Sequence, residues 1–224
     1  MNENRNKLSN RIFELTTAFV LFFFIVSASI FITLHFRPLY YMDIDLLDIE
    51  AYSGMPREEI IANYDVLIDY NSIFGGMETL ELPTLPMSET GRIHFEEVKV
   101  IFTFFQWAAI VSLILVVLLI RLNQKKENYY FWKYTSVISI AVPVILVVLI
   151  ALNWDMVFVV FHKIMFNNDY WIFDASTDPV IMILPDSFFM HCAIMALLGV
   201  VVGSVGCFLV YLQKKRWEEK TYLY

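Results

Sequence analysis

Charge is scarce in this chain. Asp, Glu, Lys and Arg make up 17% of its 224 residues, while 58% are hydrophobic; a soluble domain carries about 25% charged residues. Cysteine is scarcer still. Cys192 and Cys207 are the only two, which excludes a disulfide framework and a cysteine-built zinc cluster. Both fall on one expected helix, roughly 22 Å apart at 1.5 Å per residue, so they are read as packed rather than bonded. Seven glycines and seven prolines are too few for a low-complexity or disordered chain. The chain has no H-E-x-x-H and no C-x-x-C, which removes support for a metalloprotease or a structural zinc. Scattered histidines and aspartates leave one route to zinc open, but no metal or cofactor is expected. No glycine loop cradles a phosphate, and Gly203-Ser204-Val205-Gly206 does not complete a G-x-S-x-G serine motif. A net charge of −7 argues against a nucleic-acid partner.

Long apolar runs take the place of these features. Four are present, about residues 12–34, 98–120, 134–152 and 188–212, and each matches the ~20 residues needed to cross a bilayer. The first exceeds the apolar core of a signal peptide and lacks a clear A-x-A site, so it is read as a retained anchor. Basic residues set the expected orientation. Arg5, Lys7 and Arg11 precede the first run, Arg121, Lys125, Lys126 and Lys133 surround the second connection, and Lys214, Lys215, Arg216 and Lys220 follow the fourth run. Those are 11 of the 16 basic residues, whereas residues 35–97 and 153–190 hold 18 of the 23 acids. Both termini are therefore expected in the cytoplasm and the two long segments outside. The expected fold is an all-α membrane protein of four transmembrane helices with a small mixed extracellular cap. Its segments are 1–34 (amino terminus and first span), 35–97 (cap), 98–152 (second and third spans with a cytoplasmic loop), 153–187 (second outer loop) and 188–224 (fourth span and cytoplasmic tail).

Within the cap segment, Pro56-Arg57-Glu58-Glu59 reads as a helix start, with proline in the first turn and acids at the positive end of the dipole. Ile60, Ile61, Tyr64, Leu67 and Ile68 continue it at helical spacing. Residues 80–86 alternate in part and hold two prolines, which favours an extended or turn segment. Gly199 and Gly203 form G-x-x-x-G, the spacing for close helix approach in a membrane.

The four histidines, His35, His94, His162 and His191, all fall near the expected outer boundary. His35 and His191 read as an interfacial anchor and a packed, hydrogen-bonded side chain. His94 has Glu97 three residues on, sharing its face if the helix starts early. His162 precedes Asn167-Asn168-Asp169-Tyr170-Trp171-Ile172-Phe173-Asp174. A histidine beside carboxylates and aromatics can carry protons near neutral pH.

Two stretches, S-E-T-G-R-I-H-F-E-E-V-K-V at 88–100 and F-H-K-I-M-F-N-N-D-Y-W-I-F-D-A-S-T-D-P-V-I-M-I-L-P-D-S-F-F at 161–189, resemble the signature segments of the lipoprotein intramolecular transacylase family, Lit. The layout of four spans and two outer segments fits as well, so the resemblance covers nearly the whole chain. It departs at Ala175, where the family usually has proline, and at Glu97, where it tends to have aspartate. What the resemblance implies is acyl transfer within one bacterial lipoprotein. The acyl chain on the central glycerol carbon of a diacylglyceryl-modified amino-terminal cysteine moves to the free α-amine. The implied catalytic residues are His94 and His162, at the boundary between cap and membrane.

That chemistry suits two imidazoles. An α-amine has a reference pKa of about 7.7–8.0, so one imidazole would take a proton as the amine attacks. The other would protonate the leaving glycerol oxygen or hold the oxyanion. His162 is the expected base if Asp169 and Asp174 orient its ring. Transfer passes through a strained eight-membered ring, and orientation can supply roughly 7–11 kcal/mol toward it. Phe95, Phe166, Tyr170, Trp171 and Phe173 are the expected walls, although an aromatic belt at the membrane interface explains the same residues equally well. Partners implied are a diacylglyceryl lipoprotein and membrane lipid; the oligomeric state is not readable. Two other classes fit the composition: a non-enzymatic membrane partner or chaperone, for which the histidines are replaceable, and a lipid hydrolase or intermolecular acyltransferase, which releases or exports the acyl chain.

Overall fold

The computed structural model describes residues 2–221, with side chains from Lys7 onward; the Arg5 side chain and the last three residues of the tail lie outside the described residues. Nine helices occupy the described chain: α1 (Asn2–His35), α2 (Arg37–Leu46), α3 (Ile49–Ser53), α4 (Arg57–Asn71), α5 (Glu89–Lys125), α6 (Tyr130–Leu152), α7 (Trp154–Met165), α8 (Val180–Ile183) and α9 (Asp186–Thr221). Four are long and apolar enough to cross a membrane, within Lys7–His35, Glu89–Lys125, Tyr130–Leu152 and Asp186–Thr221. The protein is an all-helical, multi-pass membrane protein.

Two expectations need correction. No strand occurs among the described residues, so the "mixed" cap is not seen; residues 80–86 run as bends without a pairing strand. Helical structure also enters segment 153–187, read from the sequence only as an outer loop, as α7 and α8. Asn153 opens α7, its Oδ1 accepting from Met156 N at 2.9 Å, and Asp155 sits in the first turn, the arrangement that satisfies free N–H groups at a helix start.

The chain divides into two compact units. One holds the residues up to Ser29, Trp107–Val147 and those from Ala196 on. Its interior packs Ala18, Leu21, Ile25, Val116, Phe131, Val200 and Cys207. Several polar groups inside it are paired: Asn123 Nδ2 donates to Thr17 Oγ1 at 2.8 Å, Tyr130 N to Glu14 Oε1 at 2.9 Å, and Ser204 Oγ to the Ser136 carbonyl at 2.8 Å. Ser204 is thereby occupied as a helix-to-helix contact. A Cβ on Gly199 would come within 2.7 Å of Ser29 Oγ, and one on Gly203 within 2.6 Å of Ile25 Cγ2. The G-x-x-x-G pair is what lets α9 approach α1 so closely. Residues such as Val144 and Ile145 face outward at 55% and 60% exposure, as a lipid-facing surface requires.

The other unit comprises Ile30–Gln106 and Val148–Met195. Its core gathers α2, α4, α8 and the start of α9 around Tyr40, Ile44, Ile60, Tyr64, Leu67, Val180, Ile183 and Phe188. Tyr40 stacks on Tyr64 at 3.7 Å, Phe188 meets Tyr40 edge-on at 5.0 Å, and Tyr40 Oη donates to the Ile183 carbonyl. Helix α4 begins after Pro56 with Glu58 and Glu59 in its first turn and buries Ile60, Tyr64, Leu67 and Ile68, as the spacing predicts; Ile61 is only partly buried. Gln106 ties the turn after α4 to α5, accepting from Ile73 N and donating to the Asn71 carbonyl.

Candidate active site

Helix α5 starts at Glu89 rather than near residue 98, so His94 and Glu97 occupy one helical face. Ser88 caps the start, its Oγ accepting from Gly91 N at 3.0 Å. Asp178 fixes Ser88 in turn: it is 3% exposed, and its Oδ1 accepts from Ser88 N at 2.7 Å. A Cβ at Gly91 would lie 2.3 Å from that oxygen and 3.2 Å from the Phe173 ring. Only a bare Cα lets the 173–178 loop press against the first turn of α5. Gly91 and Asp178 escaped the sequence reading, whose only clue was a glycine in the first turn of a helix.

That close approach brings the histidines together. The His94 and His162 ring centroids are 6.2 Å apart. Phe166 meets His94 edge-on at 4.7 Å and lies 5.7 Å from His162. Phe173 meets His94 edge-on at 5.5 Å and stacks on Phe95, while Trp171 stacks on His162 at 4.7 Å and Phe158 lies at 4.2 Å. Of the expected aromatic walls, Phe95, Phe166, Trp171 and Phe173 converge here; Tyr170 faces outward at 40% exposure. Phe158 was not anticipated.

The aspartates do not orient His162. Asp174 spends Oδ1 on the backbone N–H and hydroxyl of Ser176 at 2.8 and 2.7 Å, and Asp169 is exposed, with no side-chain hydrogen bond to His162 among the described residues. His162 Nδ1 instead pairs with the Phe158 carbonyl one turn earlier, at 2.7 Å. A carbonyl only accepts, so Nδ1 carries the proton and Nε2 of the neutral ring keeps a lone pair. Burial pushes the His162 imidazole below its ordinary value, opposed in part by that backbone bond. A neutral base with a free Nε2 results.

His94 is 5% exposed and its Nδ1 has no hydrogen-bond partner. Two further buried polar atoms of this region share that condition, Glu97 Oε2 and Trp171 Nε1. Glu97 Oε1 accepts from Asn168 Nδ2 at 2.8 Å, tying the loop after α7 to α5. Native interiors rarely leave such groups unpaired. An apolar, aromatic enclosure with a few convergent polar atoms has the form of a small-ligand site.

The remaining histidines are engaged elsewhere. His35 Nδ1 pairs with the Phe31 carbonyl and Nε2 with Ser72 Oγ. His191 Nδ1 lies 2.8 and 2.9 Å from the two carboxylate oxygens of Asp43, itself 1% exposed. No group of three or more His, Cys, Asp or Glu among the described residues is arranged to hold a metal.

Comparison with known proteins identifies the family. The model of the lipoprotein intramolecular transacylase Lit matches residues 15–189, whereas no curated protein matches. The membrane integral lipoprotein intramolecular transacylase Lit from Bacillus cereus is 37% identical, with a TM-score of 0.92 over 96% of this chain and 99% of that one. Two single-histidine mutants of the same Bacillus cereus protein are each 36% identical. The arginine mutant has a TM-score of 0.87 over 98% of both chains, and the alanine mutant 0.88 over 98% of this chain and 100% of that one. With the match spanning most of the sequence and nearly all of the structure, this chain belongs to the lipoprotein intramolecular transacylase family.

Proposed function

We propose that this protein moves the acyl chain from the central glycerol carbon of a diacylglyceryl-cysteine to the α-amine of the same cysteine, giving a lyso-form lipoprotein. The observation that carries this reading is the His94–His162 pair, 6.2 Å apart inside an aromatic enclosure. His162 acts through its free Nε2, taking a proton from the amine nitrogen as that nitrogen bonds to the ester carbonyl carbon. His94 donates to the carbonyl oxygen as negative charge develops there and then to the glycerol oxygen as the ester bond breaks. His162 gains the proton that nitrogen loses and His94 gives one to oxygen, so a proton must pass from His162 to His94 for the pair to end as it began. An ester becomes an amide and no external energy is needed.

Phe95, Phe166, Trp171 and Phe173 support the reading in a second way. A lipid must fold back on itself to close an eight-membered ring, and rigid apolar walls favour the folded conformer and keep water from the ester. The orientation we propose puts both termini in the cytoplasm and the histidines on the outer face of the bacterial cell membrane, where the basic loops and acidic segments assign them.

The test is the ratio of lyso to diacyl amino-terminal peptide, read by mass spectrometry in cells lacking the native enzyme. His94→Ala and His162→Ala should each nearly abolish the lyso form, since general acid–base help is worth about 10²–10⁴-fold. The double variant should be scarcely worse than the poorer single one, because groups in one relay lose activity non-additively. Near-normal conversion by both folded single variants would favour a partner or chaperone role.

A further inference from the structure

Glu97 is a carboxylate without a counter-charge. Its Oε1 is held by Asn168, but Oε2 is buried and has no hydrogen-bond partner. The basic side chains closest in sequence are committed elsewhere. Arg92 pairs with Glu89 and Glu96, and Lys99 donates to the Met77 carbonyl and lies 4.1 Å over the Tyr70 ring. Among the described residues no salt bridge reaches Glu97. A carboxylate oxygen can only accept, so Oε2 fits a donor, and a charged donor best. Glu97 lies one helical turn from His94 on the same face of α5. Its Asn168 partner follows closely after Phe166, which touches both histidine rings.

A lipoprotein substrate with a free amino terminus carries a cation at the place where the reaction needs it. Its α-ammonium has a reference pKa of about 7.7–8.0. We propose that Glu97 Oε2 binds this ammonium, so that Glu97 selects substrates with a free α-amine and holds the nitrogen beside the histidine pair. This rests on the acyl-transfer reading above. Docking is not attack: the ammonium must first release one N–H proton to water before its nitrogen has a lone pair, which leaves His162 Nε2 free to take the second as that nitrogen bonds to the carbonyl carbon. Glu97 makes and breaks no covalent bond. Once the nitrogen is acylated it is a neutral amide, the charge pairing is gone, and the product leaves more readily than the substrate.

The probe is a synthetic dipalmitoylglyceryl-cysteinyl peptide, compared with its N-acetylated form, which cannot react and serves as a competitive inhibitor. The full-length protein in detergent should bind the free-amine peptide at least tenfold more tightly than the acetylated one at pH 7. That preference should fade above about pH 8, where the amine loses its charge. Glu97→Gln should raise KM about tenfold, leave kcat within a few-fold, and leave the inhibition constant of the acetylated peptide unchanged; Glu97→Asp should recover most of the loss. Equal affinity for the two peptides in the unmodified protein overturns the proposal without any variant. An equal weakening of both peptides by Glu97→Gln overturns it too, since that marks a packing role. Failure of the underlying acyl-transfer reading looks different: the unmodified protein then forms no lyso product at all.

Discussion

A neutral imidazole is what His162 offers an attacking amine, and its surroundings keep it so. Burial among Phe158, Phe166 and Trp171 disfavours the charged ring, while the Phe158 carbonyl holds the proton on Nδ1. An NMR titration of the ring, assigned by comparison with His162→Phe, should therefore give a midpoint below the ordinary ~6.5. The sign for stability follows. Because the folded value is depressed, this residue contributes stability that is present above about 6.5 and lost as pH falls through the folded value. A midpoint at or above 6.5 contradicts the proposed base. His191 differs in kind. Its partner Asp43 is buried, and removing the imidazole leaves a buried acceptor without its hydrogen bond, at a cost of about 1–3 kcal/mol. Activity lost in a His191 variant must be judged per folded molecule, because it reports the fold before it reports chemistry.

At the level of elements, close helix contact depends on single glycines, and two on α9 separate the causes. A methyl at Gly203 would meet Ile25 at 2.6 Å, whereas one at Gly206 would meet nothing within 4 Å. Both changes gain about 1 kcal/mol of helix propensity; only Gly203→Ala adds overpacking, typically about 1–3 kcal/mol. Thermal unfolding in detergent should place Gly203→Ala below Gly206→Ala by that margin, and equal stability would remove the tight α1–α9 contact from the account. The four spans were legible because some twenty apolar residues in a row carry a signal that no local preference overrides. Helix α4 was legible from Pro56, its acidic first turn and its 3.6-residue rhythm. Helix α7 was not, because its apolar run directly follows a span and only the Asn153 cap marks the break. Within the site, His94, His162 and most of the aromatic wall came from the signature segments. The Gly91–Asp178 approach and the Asn168–Glu97 bond join distant stretches of chain, and no spacing rule reaches them. Asp169 and Asp174 drew attention as the acids near His162. Competition explains the miss, since a backbone carbonyl four residues back is already in reach and Asp174 is taken by its own turn.

For the whole molecule, the proposed orientation has a direct consequence. In a protein whose two native cysteines are replaced by alanine, Ser176→Cys, on an exposed loop of the histidine-bearing unit, should react with a membrane-impermeant thiol reagent in intact cells. Gln124→Cys, exposed in the last turn of α5, should react only after lysis. Labelling at position 124 in sealed cells would reverse the orientation. The central claim is that the acyl chain never leaves its own lipoprotein. The measurement is tandem mass spectrometry of a diacylglyceryl peptide whose sn-2 chain alone is isotopically labelled, incubated with the purified protein, excess unlabelled phospholipid and a chelator. The account predicts an unchanged total mass with the labelled chain on the α-amine; loss of one fatty acid's mass, or an unlabelled chain on that amine, would contradict it.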